Sequence, residues 1–157
     1  MLRTYLSYAI TTLFGLFLFS CSQKNENEIA KKVNKILSQM TLEEKVGQMA
    51  QITLDVVGKG DSKFSSVEPF VLDTARLRDV IVKYHVGSIL NTTNNYAMPP
   101  AQWNEIISFI QKVAMEETRA KIPVIYGIDA IHGVTYTDGA IMFPQQISVA
   151  ATFNPIH

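Results

Sequence analysis

The sequence predicts an α/β protein built on a parallel sheet. Strand-like apolar runs begin near residues 50, 86 and 123, and a helical period fills each gap between them. That order favours parallel strands joined by crossover helices, either in a doubly wound sheet or in a (β/α)8 barrel. The bulk composition agrees: 157 residues, 47% hydrophobic and 18% charged. Fourteen basic residues balance 14 acidic ones, so no basic excess points to nucleic acid and nucleic acid is not an expected partner.

The first twenty residues differ in kind from the rest. Arg3 precedes an uncharged stretch of 15 residues, Tyr5 to Phe19, and the polar run "SQKNENE" follows Cys21. A spanning helix needs about 20 apolar residues, so residues 1–20 read as a secretory signal peptide rather than a stop-transfer anchor. Cys21 is the only cysteine, which excludes an intrachain disulfide framework. The stretch "LFSC" resembles a bacterial lipobox, although Phe19 is bulkier than the small residue usual at its place. The resemblance implies that Cys21 is lipidated and becomes the first mature residue, with residues 21–28 as a solvated tether between a membrane anchor and a domain over 29–157.

Ile29, Val33, Ile36, Leu37 and Met40 have the spacing of one helical face. A second helix starts at once, because Thr41 and Glu44 fit a capping box; Leu42, Val46 and Met49 are its expected apolar side. "AQITL" (50–54) turns strand-like. Residues 55–68 carry glycine, serine and charge without a period and read as an exposed loop. Leu77, Val80, Ile81 and Tyr84 then return to helical spacing, and "VGSILN" (86–91) has the look of a buried strand. Residues 92–101, "TTNNYAMPPA", form a second loop. Past Pro99 and Pro100 lies the clearest helix, with Trp103, Ile106, Ile107, Ile110, Val113 and Ala114 on one stripe. It leads into the third strand, "PVIYGID", which is apolar on both faces and so expected to be a buried parallel strand.

Few cofactor motifs survive inspection. "GKGDSKF" has two glycines of a dinucleotide fingerprint but not the third, and a loop rather than a helix follows; no P-loop is present, so no cofactor is expected. His85, His132 and His157 lie far apart and belong to no metal-binding pattern, and His85 reads as a packing or capping residue. Gly87-Ser88-Ile89 lacks the closing glycine of a nucleophile elbow. Asp129 stands out, because it ends an apolar run and an ionised carboxylate held away from water requires partners. Placed at the carboxyl end of a parallel strand, it is either a strand-end cap for backbone N–H groups or a ligand-facing acceptor. His132, three residues on, is its expected neighbour.

Four stretches, "QMTLEEKVGQMAQ" (39–51), "VGSILN" (86–91), "IPVIYGIDAIHG" (122–133) and "GAIMFPQQISVAATFNP" (139–155), resemble successive blocks of glycoside hydrolase family 3. They come in that family's order and roughly its spacing, and are similar to the N-terminal domain of its β-glucosidases and exo-acting β-glucan hydrolases. The β-N-acetylglucosaminidase branch tends to a D-x-E-G-G pattern. Asp129-Ala130-Ile131-His132-Gly133 is closer to the D-x-x-H-G of the glucosidase branch.

The resemblance implies the N-terminal part of a TIM-type (β/α)8 barrel, incomplete in this chain, since such barrels run to about 250 residues. It implies that Asp129, and more weakly His132, bind hydroxyls of the non-reducing-end sugar of a β-glucoside or β-glucan oligosaccharide. The nucleophile and acid/base of a retaining hydrolase are implied to lie beyond His157, so no catalytic residue is expected within the chain. The parent is expected to be an exported bacterial lipoprotein of the periplasm or cell envelope. The alternatives are a β-xylosidase or β-N-acetylglucosaminidase of the same family, or a glycan-binding lipoprotein without catalysis.

Overall fold

A computed structural model describes residues 26–62, 66–91 and 97–154, which divide into a unit ending at Met40 and a larger one from Thr41. The proposed signal peptide and Cys21 lie outside the described residues, as does His157. In the first unit, residues 26–39 form helix α1, so Glu26 to Glu28, expected in the tether, are already helical. The spacing of Ile29, Val33, Ile36 and Leu37 puts these residues on one side of α1, and all four are exposed. Among the described residues no helix is long and apolar enough to cross a membrane.

The larger unit opens with α2 (Leu42–Gln48), and its capping box is present as the sequence predicts. Thr41 Oγ1 accepts from Glu44 N at 3.2 Å, and Glu44 Oε2 accepts from Thr41 N at 2.9 Å. The buried side of α2 is not the expected one. Leu42, Val46 and Met49 are exposed, and the residues that go inside are Glu44 and Gly47. Two contacts select that side. Arg119 donates to both oxygens of Glu44 from 75 residues away in sequence, and Gly47 meets the backbone of Tyr84 and His85.

Three parallel strands follow: β1 (Gln51–Thr53), β2 (Ser88–Asn91) and β3 (Ile125–Ile128), in sheet order β1-β2-β3. Ile52, Ile89 and Tyr126 are in register, and this row faces the core; Ile89 is fully buried. The opposite face carries the rows Gln51, Ser88, Ile125 and Thr53, Leu90, Gly127. On that second face Gln51 Nε2 donates to Ser88 Oγ at 2.7 Å. Ile125 is 72% exposed, so β3 is an edge strand with one open face rather than the strand buried on both faces that its composition suggests.

The crossovers supply the core. Helix α3 (Thr74–Arg78) starts at Asp73, whose carboxylate accepts from Ala75 N and Arg76 N, and it runs on into a π-helical turn over Asp79–Lys83. Leu77, Val80 and Ile81 are buried as their spacing predicts, whereas Tyr84 is exposed. Helix α4 (Pro100–Lys112) begins with proline, whose fixed φ and missing N–H suit a first helical position, and it too ends in a π-helical turn, Val113–Glu117. Trp103, Ile106, Ile110, Val113 and Ala114 join Ile89 and Val124 in one cluster. The segment after β1 is more ordered than its composition implies. Leu54–Val57 forms a 3-10 turn with Leu54 and Val57 fully buried, and Arg76 donates to the carbonyls of Gly58 and Gly60. Met98, in the second expected loop, is also fully buried.

Gly87 joins these parts. Its N–H donates to Gly47 O at 3.1 Å and its carbonyl accepts from Ile125 N at 2.9 Å. A Cβ at Gly87 would stand 2.5 Å from Gln48 O and 2.8 Å from Gln48 Cα. Both obstacles are backbone, so Gly87→Ala is expected to destabilise the chain by about 2 kcal/mol or more, read as a lowered denaturant midpoint.

Glu44 gives a pH test. Hydrogen bonding from the Thr41 backbone, and then from Arg119, holds its carboxyl below the ordinary value of 4.5. A carboxylate whose folded pKa is depressed contributes stability above the unfolded pKa, and that contribution fades as pH falls through the folded value. Wild type should therefore resist urea better than Glu44→Gln at pH 7, and the gap should close as the pH is taken well below 4.5. A constant gap across that range would contradict the assignment.

Candidate functional site

The three strands are parallel, so their carboxyl ends share one edge, and the chain leaves β3 at that edge through Asp129. Alternation along β3 places Ile125 and Gly127 on the side away from the helices, and Asp129 is the first residue past the end of the strand. Asp129 is exposed, so the carboxylate is not desolvated as the apolar run before it suggests. Among the described residues it makes no ion pair, and no side-chain hydrogen bond uses it as a cap. The strand-end cap reading therefore has no support in the geometry.

Two devices hold β3 in place behind it. Gln111 on α4 makes a two-point clasp with Val124: Nε2 donates to the carbonyl at 2.8 Å and Oε1 accepts the N–H at 3.0 Å. The second is the backbone bond from Ile125 to Gly87 described above. Together they fix where β3 begins, and four residues of regular strand then fix where Asp129 emerges.

Beyond Asp129 the chain folds back in a turn that requires glycine. Gly133 has φ +117°, and a Cβ there would lie 2.4 Å from Ile141 O. Bridges pair Gly133 with Ile131 and with Met142. His132 is half-buried on this turn, its carbonyl accepting from Phe143 N at 2.6 Å, and Gln146 Nε2 reaches Ile131 O at 2.5 Å. Asp129 and His132 thus share one turn, with no hydrogen bond between their side chains. The next loop is tied to the front of α4: Trp103 Nε1 and Met98 N both donate to Tyr136 O, at 2.9 and 3.0 Å, and Asp138 N donates to Met98 O.

Downstream, α5 (Gln146–Ala150) and its flanks leave Ile141, Met142, Phe143 and Ile147 exposed. An open, largely apolar cleft of about 590 Å³ is lined there by Phe143, Pro144, Ser148, Val149 and Thr152. Among the described residues no cluster of three or more His, Cys, Asp or Glu side chains could hold a metal ion. His85 has a structural place: it sits at φ +57°, its carbonyl accepts from Gln48 Nε2, and a Cβ at Gly47 would meet its side chain.

Reading the sequence for reactive side chains overlooks two parts of this arrangement. Gln111 looks like a solvent-facing position on an amphipathic helix, and only the fold shows it clasping β3. The loop bonds to Tyr136 are made by its backbone carbonyl, which no side-chain pattern reveals.

Comparison with known proteins matches this framework. The glycosyl hydrolase family 3 N-terminal domain aligns with residues 41–157. A lysosomal beta glucosidase of Dictyostelium discoideum is 30% identical over 146 residues, covering 87% of this chain and 17% of that protein. A putative beta-xylosidase of Formosa agariphila is 29% identical over 154 residues, covering 90% and 19%. A periplasmic beta-glucosidase of Salmonella typhimurium is 28% identical over 122 residues, covering 78% and 12%. The chain therefore spans less than a fifth of the length of these relatives. With Asp129 at the carboxyl edge of a parallel sheet and the family's domain matched from Thr41 onward, the chain belongs to glycosyl hydrolase family 3.

Proposed function

We propose that this chain forms the N-terminal part of a retaining glycoside hydrolase that removes β-linked glucose from the non-reducing end of glucosides or β-glucan oligosaccharides. The observation that carries this reading is the solvent-facing Asp129 at the end of β3, in a sequence of the D-x-x-H-G kind. An ionised carboxylate there accepts hydrogen bonds from sugar hydroxyls, each worth roughly 1.5 to 3 kcal/mol as a bond to a charged group. His132, on the same turn, is the second contact. Asp129 binds and does not act as acid or nucleophile.

Retaining hydrolysis uses two carboxyl groups about 5 to 5.5 Å apart, one forming the glycosyl-enzyme bond and the other moving the proton. On this reading both come from residues outside the chain, and further βα units close the barrel over the open face of the sheet. Export is part of the proposal: residues 1–20 are the signal peptide, and Cys21 is lipidated and anchors the protein to a membrane of the bacterial envelope. The periplasmic relative supports export. The Formosa relative, named a beta-xylosidase, favours a second substrate, a β-xyloside bound at the same position.

Two measurements test the reading. In the complete gene product Asp129→Asn should lower kcat/KM for an aryl β-glucoside by about ten-fold or more, the equivalent of about 1.4 kcal/mol of transition-state binding; an unchanged value returns Asp129 to a structural role. The 157-residue chain alone should show no turnover of the same substrate. Activity that co-purifies with it would overturn the placement of the catalytic carboxylates.

A further inference from the structure

Gly127 is a glycine that the fold of the described residues does not account for. A Cβ at Gly47, Gly58 or Gly87 would stand 2.4, 2.7 or 2.5 Å from another atom, and Gly133 and Gly139 have positive φ. Neither reason holds at Gly127. It lies in regular strand, the third residue of β3, and its φ is not positive. Apart from its chain neighbours, and among the described residues, the one heavy atom within 4 Å of a Cβ there would be Leu90 Cδ1, at 3.4 Å. That is ordinary van der Waals contact, so alanine fits. Glycine inside a strand costs backbone entropy and gives up a packing group, and it often marks a place where a ligand or another backbone comes close.

The position of the gap points to a ligand. On the face away from the helices the rows run Gln51, Ser88, Ile125 and then, nearer the carboxyl edge, Thr53, Leu90, Gly127. Along β3 the side chain on this face therefore shrinks from isoleucine to nothing as the strand approaches the edge where parallel sheets bind ligands. Asp129 follows two residues later, and two residues of chain span at most about 7 Å. A molecule held by Asp129 and lying back over the edge meets the bare peptide of Gly127. In the same row Leu90 is half-buried and Thr53 exposed, so an apolar surface and a hydroxyl lie alongside the gap. A ring of C–H groups edged with hydroxyls, which is a sugar, suits that combination.

We propose that Gly127 is a specificity-determining position of the sugar site: its missing side chain leaves the space in which the pyranose ring of the β-glucoside lies, beside Leu90, while Asp129 holds the hydroxyls. The proposal rests on the reading of Asp129 as the sugar-binding group. A methyl group at position 127 fits the sheet but takes the space, so it displaces the ring from Asp129 without disturbing the strand. Small displacements of a bound substrate are costly to catalysis, because the reacting atoms lose their alignment.

The test compares Gly127→Ala, Gly127→Val and Asp129→Asn in the complete gene product, each assayed on an aryl β-glucoside and by urea denaturation. Gly127→Ala should lower kcat/KM by about ten-fold or more while its denaturant midpoint stays unchanged or rises, since alanine restricts the unfolded chain. Gly127→Val should lower kcat/KM further, and free glucose, titrated by calorimetry, should bind more weakly in the same order. Should the valine variant fail to fold, the alanine variant and its glucose titration decide alone. A kcat/KM for Gly127→Ala within about two-fold of the unaltered protein overturns the inference, and if Asp129→Asn is impaired in the same assay the sugar-binding reading stands without it. A lowered midpoint in Gly127→Ala also overturns it, because the space then belongs to another part of the protein. If Asp129→Asn leaves kcat/KM unchanged, the reading of Asp129 fails and takes the inference with it.

Discussion

A backbone-to-backbone approach between two glycines organises the larger unit. Gly47 closes on the Tyr84–His85 peptide and Gly87 closes on Gln48, so α2 meets the entry to β2 at a distance no side chain permits. The same Gly87 passes a hydrogen bond to each side, to Gly47 and from Ile125. Helix α2, the start of β2 and the start of β3 are thus indexed to one residue. The glycines of "EKVGQ" and "VGSIL", which carry no chemistry, are the reason the chemistry has a fixed address.

The ion pair at the other end of α2 works with this contact. Glu44 serves the cap of its own helix and receives Arg119, which follows the π-helical turn after α4. An acid that looks like one more charge on a solvated helix is therefore buried, satisfied and bound to the segment that leads into β3. Removing its partner would leave a buried carboxylate unpaired, which is why such pairs are expensive to break even when they add little net stability.

How much of this was legible in the sequence varies with the kind of signal. The capping box at Thr41, the proline start of α4 and the Trp103 to Val113 stripe were readable, because each is set by local backbone chemistry or by periodicity within one element. The buried side of α2 departs from its apolar periodicity for a physical reason. Periodicity shows which residues share a face but not which face meets a neighbour, and here a close glycine contact and a long-range ion pair outweighed Leu42, Val46 and Met49. The apolar residues of β3 suggested burial on both sides, yet its second face is open. Asp129 does stand at the strand end, as the apolar run before it indicates, but it faces solvent and needs no partners to offset burial.

The strand order repeats the chain order, so each strand finds its partner already in place when it is made. No strand has to wait for a later one to be inserted beside it. A sheet of this kind can be assembled vectorially, from the first residues outward, with each βα unit docking on the finished edge of the last. Among the described residues β3 is then the last strand laid down, and it docks on a β1–β2 pair that is already formed.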